Sequence, residues 1–337
     1  MRLKTLIVLL VILAVLVGLG LAKKAGRERE LREAAAQSRT ISLTQEIDED
    51  FISSIVLYKG SVAEDEKIVL SRQDGGWVLS NRHGIPAKAD RVESLIRSME
   101  HVQGERRGVS MDVFADFGIA DDEGLHVVLK GEAGQEIVHL VYGVKIPRLG
   151  VGFCRMSDSE ETLMVETTLP FSLGIYGPES VLSDDSFIQW RICSDKVKEA
   201  GRIEVTKAGE EKFVLVKAED GTWTFDPPQG RQEVDKAKVE EFLRVLAEVE
   251  GRDVVDAEEG VDYGFEQAGV RVVATVLGAE GGLPGVFDVR VGRKVPDKEA
   301  MYFVKALPQD LIYLVSENAA KNLIVGRADL AVSEQKK

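Results

Sequence analysis

"DGTWTFDPPQGRQEVDKAKVEEFLRVL", residues 220–246, reads as the end of a strand, a turn and the start of an amphipathic helix. Nearly the same text stands earlier, at 74–99, as "DGGWVLSNRHGIPAKADRVESLIRSM". With Trp77 set on Trp223, the two stretches lie 146 residues apart. Each Trp is followed by an apolar stripe. It is Val92, Leu95, Ile96, Met99 and Val102 in the first stretch and Val239, Phe242, Leu243, Leu246 and Val249 in the second. Both run i, i+3, i+4, i+7, i+10, the pattern of one buried helical face. Asp90 and Asp235 stand where N-caps are expected, each with a carboxylate to accept from free N–H groups of the first turn.

The parallel continues downstream. An acid–aromatic–glycine–apolar step appears as "DFGI" (Asp116, Phe117, Gly118, Ile119) and again as "DYGF" (Asp262, Tyr263, Gly264, Phe265). Strand-like text follows: "LHVVLKG", "EIVHLVYG", "GVGFCRM" and "TLMVE", then "VRVVATVLG", "GVFDVRVG", "MYFVKA" and "LIYLVS". Alternation with short Gly-containing turns predicts antiparallel meanders. Upstream, "ISSIVLYK" and "KIVLSR" match "AGRIEVTK" and "FVLVKA", and the copies close with short helices at "LPFSLGI" and "NAAKNLIVG". Each copy is therefore expected to be α+β, strand–strand–helix–strand meander, with one main helix packed on an antiparallel sheet. Two tandem repeats are placed at 46–178 and 186–326, joined by a linker at 179–185 and followed by a disordered tail at 327–337.

Thr5 to Ala22 is a run of 18 residues without a charge, within the roughly 17–25 that cross a bilayer as a helix. Two readings compete: an uncleaved anchor over 1–22, and a signal peptide cut after "GLA". The apolar run exceeds a usual signal core of about 7–15 residues, which favours the anchor. Residues 23–45 read as a polar juxtamembrane stalk. Two Lys/Arg precede the apolar run and five follow it closely, which by itself would hold the body in the cytoplasm. A short N-terminal tail before a long domain is the layout of an exported single-pass protein, and an extracytoplasmic body at the inner membrane is the expectation.

The chain of 337 residues carries a net charge of −14. Residues 1–32 hold seven Lys/Arg against two acidic residues, leaving 36 basic and 55 acidic residues, a net −19, for the rest. Such a body repels phosphate backbones and argues against nucleic acid. Two cysteines, Cys154 and Cys193, are too few for a disulfide scaffold or a zinc motif. One bridge between them is conceivable outside the cytoplasm, but two buried thiols are the favoured reading.

The order of Trp turn, "PAKAD" before a striped helix, aromatic–Gly step and strand meander resembles the bacterial domain-of-unknown-function family 4340. Trp77, Pro86, Ala87, Ala89 and Asp90 carry the pattern in the first copy, and Trp223, Asp235, Tyr263 and Gly264 in the second. The second copy lacks the Pro of the first, which leaves the alignment of that turn open. The resemblance implies a single-anchor envelope protein. It also implies partners: the ATPase, permease and large auxiliary subunit of a gliding-motility-type ABC transporter. It supplies no catalytic residues.

No P-loop, nucleophile elbow or calcium-loop pattern is present in the sequence. "DFG" at 116–118 lacks the Gly-rich loop, strand Lys and H-R-D that a kinase needs. "GAEGGLPG" at 278–285 reads as a hairpin loop, and "DSEE" or "DAEEGVD" as solvated loops. All four histidines, His83, His101, His126 and His139, fall in the first copy. If "GEAG" at 131–134 is a hairpin loop, His126 and His139 face each other across it and offer two metal ligands. With no third ligand in view, they read instead as polar residues on a solvated sheet face. Trp77 and Trp223 are expected to pack rather than to stack on a sugar. No catalytic, cofactor or metal residues are assigned. The structural markers are Trp77, Asp90, Phe117, Gly118, Trp223, Asp235, Tyr263 and Gly264. The expected function is that of a non-catalytic accessory subunit of an ABC-type system. The alternative is a free-standing envelope module that binds a glycan, lipid or peptide between the copies.

Overall fold

In the computed structural model, the described residues are 40–73, 75–227, 232–266, 269–276, 285–296 and 298–332. The expected anchor at 1–22, most of the stalk, most of the 278–285 loop and the end of the tail lie outside them. Among the described residues, no helix is long and apolar enough to cross a membrane. The architecture is α+β, mostly antiparallel sheet with a few helices. The chain divides into two units, residues 1–75 with 89–186, and residues 76–88 with 187–337.

In the first unit, strands β1 (Thr40–Ser42), β2 (Ser54–Lys59) and β3 (Ile68–Gln73) precede helix α1 (Ala89–Ser98). Strand β6 (Gln103–Val109) and helix α2 (Phe114–Phe117) follow, then β7 (Leu125–Lys130), β8 (Glu136–Tyr142), β9 (Val151–Met156), β10 (Glu161–Glu166) and α3 (Leu169–Ser172). Its strands lie in the order β1-β6-β10-β9-β8-β7-β2-β3. One parity of side chains makes the core: Ile55, Leu57, Leu70, Val127, Leu140 and Cys154 are fully buried. Val92, Leu95 and Ile96 of the predicted stripe are buried on α1, while Met99 and Val102 are buried beyond its end.

The second unit gathers β4 (Gly76–Leu79) and β5 (Ile85–Pro86) with β11 (Arg202–Lys207), β12 (Phe213–Lys217), β13 (Trp223–Phe225) and α4 (Lys236–Glu248). Then come β14 (Asp253–Val255), β15 (Val270–Val276), β16 (Gly285–Lys294), β17 (Met301–Leu307), β18 (Leu311–Ser316) and α5 (Glu317–Leu323). Its sheet runs β13-β12-β11-β15-β16-β17-β18-β14. Within this unit β4 pairs with β5 through Val78↔Pro86 and Leu79↔Ile85. Residues 86–88 also reach residues near 188, through an Ala87↔Ile188 bridge and bonds from Lys88 N to Phe187 O (2.7 Å) and Gln189 N to Pro86 O (2.8 Å).

The strand order β6-β10-β9-β8-β7-β2-β3 in one unit is matched by β14-β18-β17-β16-β15-β11-β12 in the other. Of the strands in this matched order, β6 and β14 are the two that sequence patterning did not signal. The first is polar, with Arg106 and Arg107, and the second has three residues. The aromatic–Gly steps take the same form in both units. Gly118 (φ 66°) and Gly264 (φ 78°) are left-handed, and a Cβ there would meet the backbone nitrogen of Lys145 at 2.9 Å and of Arg293 at 2.7 Å. Phe117 stacks on Phe153 of β9 with centroids 4.1 Å apart, and Tyr263 meets Phe303 of β17 edge-on at 5.0 Å. The motif is therefore a turn that folds an aromatic ring onto the sheet face opposite the main core.

Capping differs between the two main helices. Asp235 is an N-cap, its carboxylate accepting from Ala237 N (3.0 Å) and Lys238 N (3.4 Å). Asp90 is not. The helix already begins at Ala89, so Asp90 lies inside the first turn, where its charge meets the positive end of the helix.

Candidate functional site

The face of the first sheet opposite its core carries a polar cluster. The β7–β8 hairpin closes through Gly131 N to Gln135 O (2.9 Å) and pairs Val128 with His139 and His126 with Val141. His126 and His139 are thus diagonal neighbours on one face, and His126 Nδ1 lies 3.0 Å from His139 Nε2. The pair forms as the hairpin predicts. A solvated face is not its setting, for His126 is 3% exposed.

Strand β2 lays Tyr58 beside His126 in register, and the rings stack at 4.3 Å with an interplanar angle of 7°. Lys67 Nζ lies 4.6 Å above the other side of the network, over the Tyr58 ring. Strand β9 supplies Arg155, 2% exposed, opposite Val141. Its guanidinium donates to the Asp121 carboxylate and to the carbonyls of Ile119 (2.9 Å), Met156 (3.1 Å) and Ser157 (2.8 Å). Asp121 also offers its carbonyl to His126 Nε2 at 3.0 Å, and Glu136 Oε2 lies 3.3 Å from His139 Nδ1. Burial pushes the His126 imidazole down to about 4, partly opposed by the Asp121 carbonyl. Burial lowers His139 as well, with Glu136 pulling the other way. It raises the Tyr58 phenol. Among the described residues, no group of three or more His, Cys, Asp and Glu is arranged to hold a metal.

The second sheet uses the matching positions differently. There Val273 pairs with Asp288 and Arg271 with Arg290, so Arg271 and Asp288 take the diagonal that the two histidines take in the first sheet. Asp288 is 4% exposed and accepts from Arg271 Nη2 (2.7 Å) and Arg290 Nη2 (2.9 Å). Burial alone would raise this carboxyl, but the bonds from the two arginines outweigh it and hold it below its ordinary value.

A family model described as "Domain of unknown function (DUF4340)" matches residues 77–268, more than half of the chain. The chain belongs to this family. A comparison with curated proteins finds no match, and neither does one with solved structures. The DUF4340 match begins at Trp77, the first Trp turn, and ends just past the second aromatic–Gly step. The two turn tryptophans of this DUF4340 chain are buried, Trp77 at 6% and Trp223 at 3% exposure, so neither presents a face for a sugar. Cys154 and Cys193 are free and buried, and burial pushes the Cys193 thiol up to about 12.

The other two histidines do not join the cluster. His83 Nδ1 lies 2.5 Å from Asp256 Oδ1 in the second unit. His101 borders a separate cleft of about 500 Å³ in the first unit, lined also by Glu100, Glu105, Tyr142, Arg148 and Glu166. Tyr58, Asp121 and Arg155 were missed from sequence. Tyr58 comes from a strand whose pairing with β7 no local pattern announces, and Arg155 from the next strand of the expected meander, whose register with β8 the sequence does not give. What the cluster can do chemically is hold and exchange a proton at His139. The Arg155 guanidinium is occupied on every side.

Proposed function

We propose that this chain is a single-anchor envelope protein whose body is a duplicated α+β module, acting as a non-catalytic accessory subunit of an ABC-type, gliding-motility-like transport system. The observation that carries the duplication is the matched strand order of the two units together with their paired aromatic–Gly turns. Packing residues correspond between the units while polar ones diverge, as in His126 and His139 against Arg271 and Asp288. A duplicated catalytic site would keep its reacting groups, so the divergence favours a scaffold that presents surfaces to partners. The apolar run at 5–22 supports the anchor. The test is isolation of the tagged full-length protein from membranes in mild detergent, with mass spectrometry of what accompanies it. Near-stoichiometric permease and ATPase are the expected companions, and recovery of the protein alone overturns the accessory role.

A second function, a free-standing binding module, is favoured by one feature, the 500 Å³ cleft within the first unit. Its volume falls in the range of small-ligand sites, roughly 300–1,000 Å³.

A further inference from the structure

The four ring nitrogens of His126 and His139 each face a specific neighbour, and those neighbours fix where protons can sit. The Asp121 carbonyl can only accept, so His126 Nε2 carries a hydrogen. His126 Nδ1 is then a bare lone pair when the ring is neutral, and it must accept from His139 Nε2 across 3.0 Å. That leaves His139 Nδ1 bare in a neutral pair, 3.3 Å from the Glu136 carboxylate, which also only accepts. Two acceptors in contact repel. A single added proton on His139 Nδ1 turns that contact into a charge-assisted hydrogen bond and changes no other bond in the chain.

We infer that His126, His139 and Glu136 form a binding site for one proton, taken up at His139 Nδ1, which draws the Glu136 carboxylate onto the sheet. The proton comes from solvent, and its release frees Glu136. A zinc ion held by both inner nitrogens at about 2.0–2.1 Å would need them roughly 3.3–3.4 Å apart in tetrahedral geometry. The observed 3.0 Å suits N–H···N instead.

Charged and titratable groups reach the site from every side. Tyr58 on β2 covers the His126 face with Lys67 beyond it, Glu64 acts on Tyr58, Asp121 and Arg155 approach from the loop before β7 and from β9, and Glu136 lies on β8. Arg155 and burial oppose uptake, while Glu136 and Asp121 favour it. Uptake therefore belongs below the ordinary histidine range. The site is independent of the transport role proposed above.

The test is nitrogen NMR of the full-length protein in detergent micelles, with label confined to histidine side chains. Four residues give four signal sets, assigned with His139→Gln, His83→Gln and His101→Gln, the remaining set being His126. The expected result has His126 in the Nε2–H form across the range while His139 passes from neutral Nε2–H to imidazolium. In Glu136→Gln the proton affinity of His139 should fall about tenfold, one pH unit. A surface glutamate change leaves the core untouched, so this variant folds. An Nδ1–H form of His126, or an unchanged His139 midpoint in Glu136→Gln, overturns the site. Shifts of both rings on adding zinc alone at neutral pH, lost in His139→Gln, would overturn it in favour of a metal.

Discussion

At the scale of single residues, two glycines and one histidine carry the sharpest consequences. Gly118 and Gly264 hold left-handed φ with backbone nitrogen packed against the missing Cβ. Gly118→Ala and Gly264→Ala should each cost about 1–3 kcal/mol, the usual range for a non-glycine residue forced into that region. Urea unfolding measures it, and a loss below roughly 0.5 kcal/mol at both would contradict the geometry. His126 sets a pH dependence. Its folded value of about 4 lies below the ordinary 6.5, so the unfolded chain takes up the proton first. The stability tied to the neutral ring is complete above about pH 6.5 and is lost as pH falls toward about 4. Asp288, held below its ordinary value, contributes stability that is present above about pH 4 and is lost only on further acidification. His126→Phe keeps a ring under Tyr58 but removes this titration. Its melting temperature should therefore fall less between pH 7 and 4.5 than that of the parent, whatever its absolute value. Equal slopes would show that the histidine is not the group responsible.

At the scale of elements, the two main helices make a matched comparison. Asp235 bonds two free N–H groups of α4, and Asp235→Ala should cost about 1 kcal/mol. Asp90 lies inside the first turn and acts on the helix dipole, and Asp90→Ala should cost about 0.3–1 kcal/mol at low ionic strength and shrink in salt. Equal and salt-independent losses at the two positions would refute the distinction. The sequence pattern anticipated both stripes and the eight long meander strands because each is a local periodicity. It misjudged Asp90 because a non-local contact decides where α1 starts. Ala87 is bridged to Ile188, and the chain turns helical directly after that pairing. The candidate site divides along the same line. His126 and His139 were legible from a short hairpin, whereas Tyr58 and Arg155 join them through pairings across 68 residues for Tyr58↔His126 and through a third strand for Arg155.

At the scale of the whole molecule, both thiols are sealed inside separate units and neither is bonded to another sulfur. The native full-length protein should therefore react slowly with Ellman's reagent and release two equivalents of thiol after denaturation without reductant. One missing pair of equivalents in that assay would mean a disulfide and a different fold around Cys193. The second unit also has a property of its own. Its residues 76–88 arrive from far upstream in the chain, and they carry the partners of Ile188, Phe187 and Gln189 together with His83, the partner of Asp256. Order along the gene and order in the fold thus part company here. A ribosome that has finished residue 88 has made a strip that must wait for about a hundred further residues before Phe187, Ile188 and Gln189 exist, and a chain started at residue 187 would never receive that strip at all.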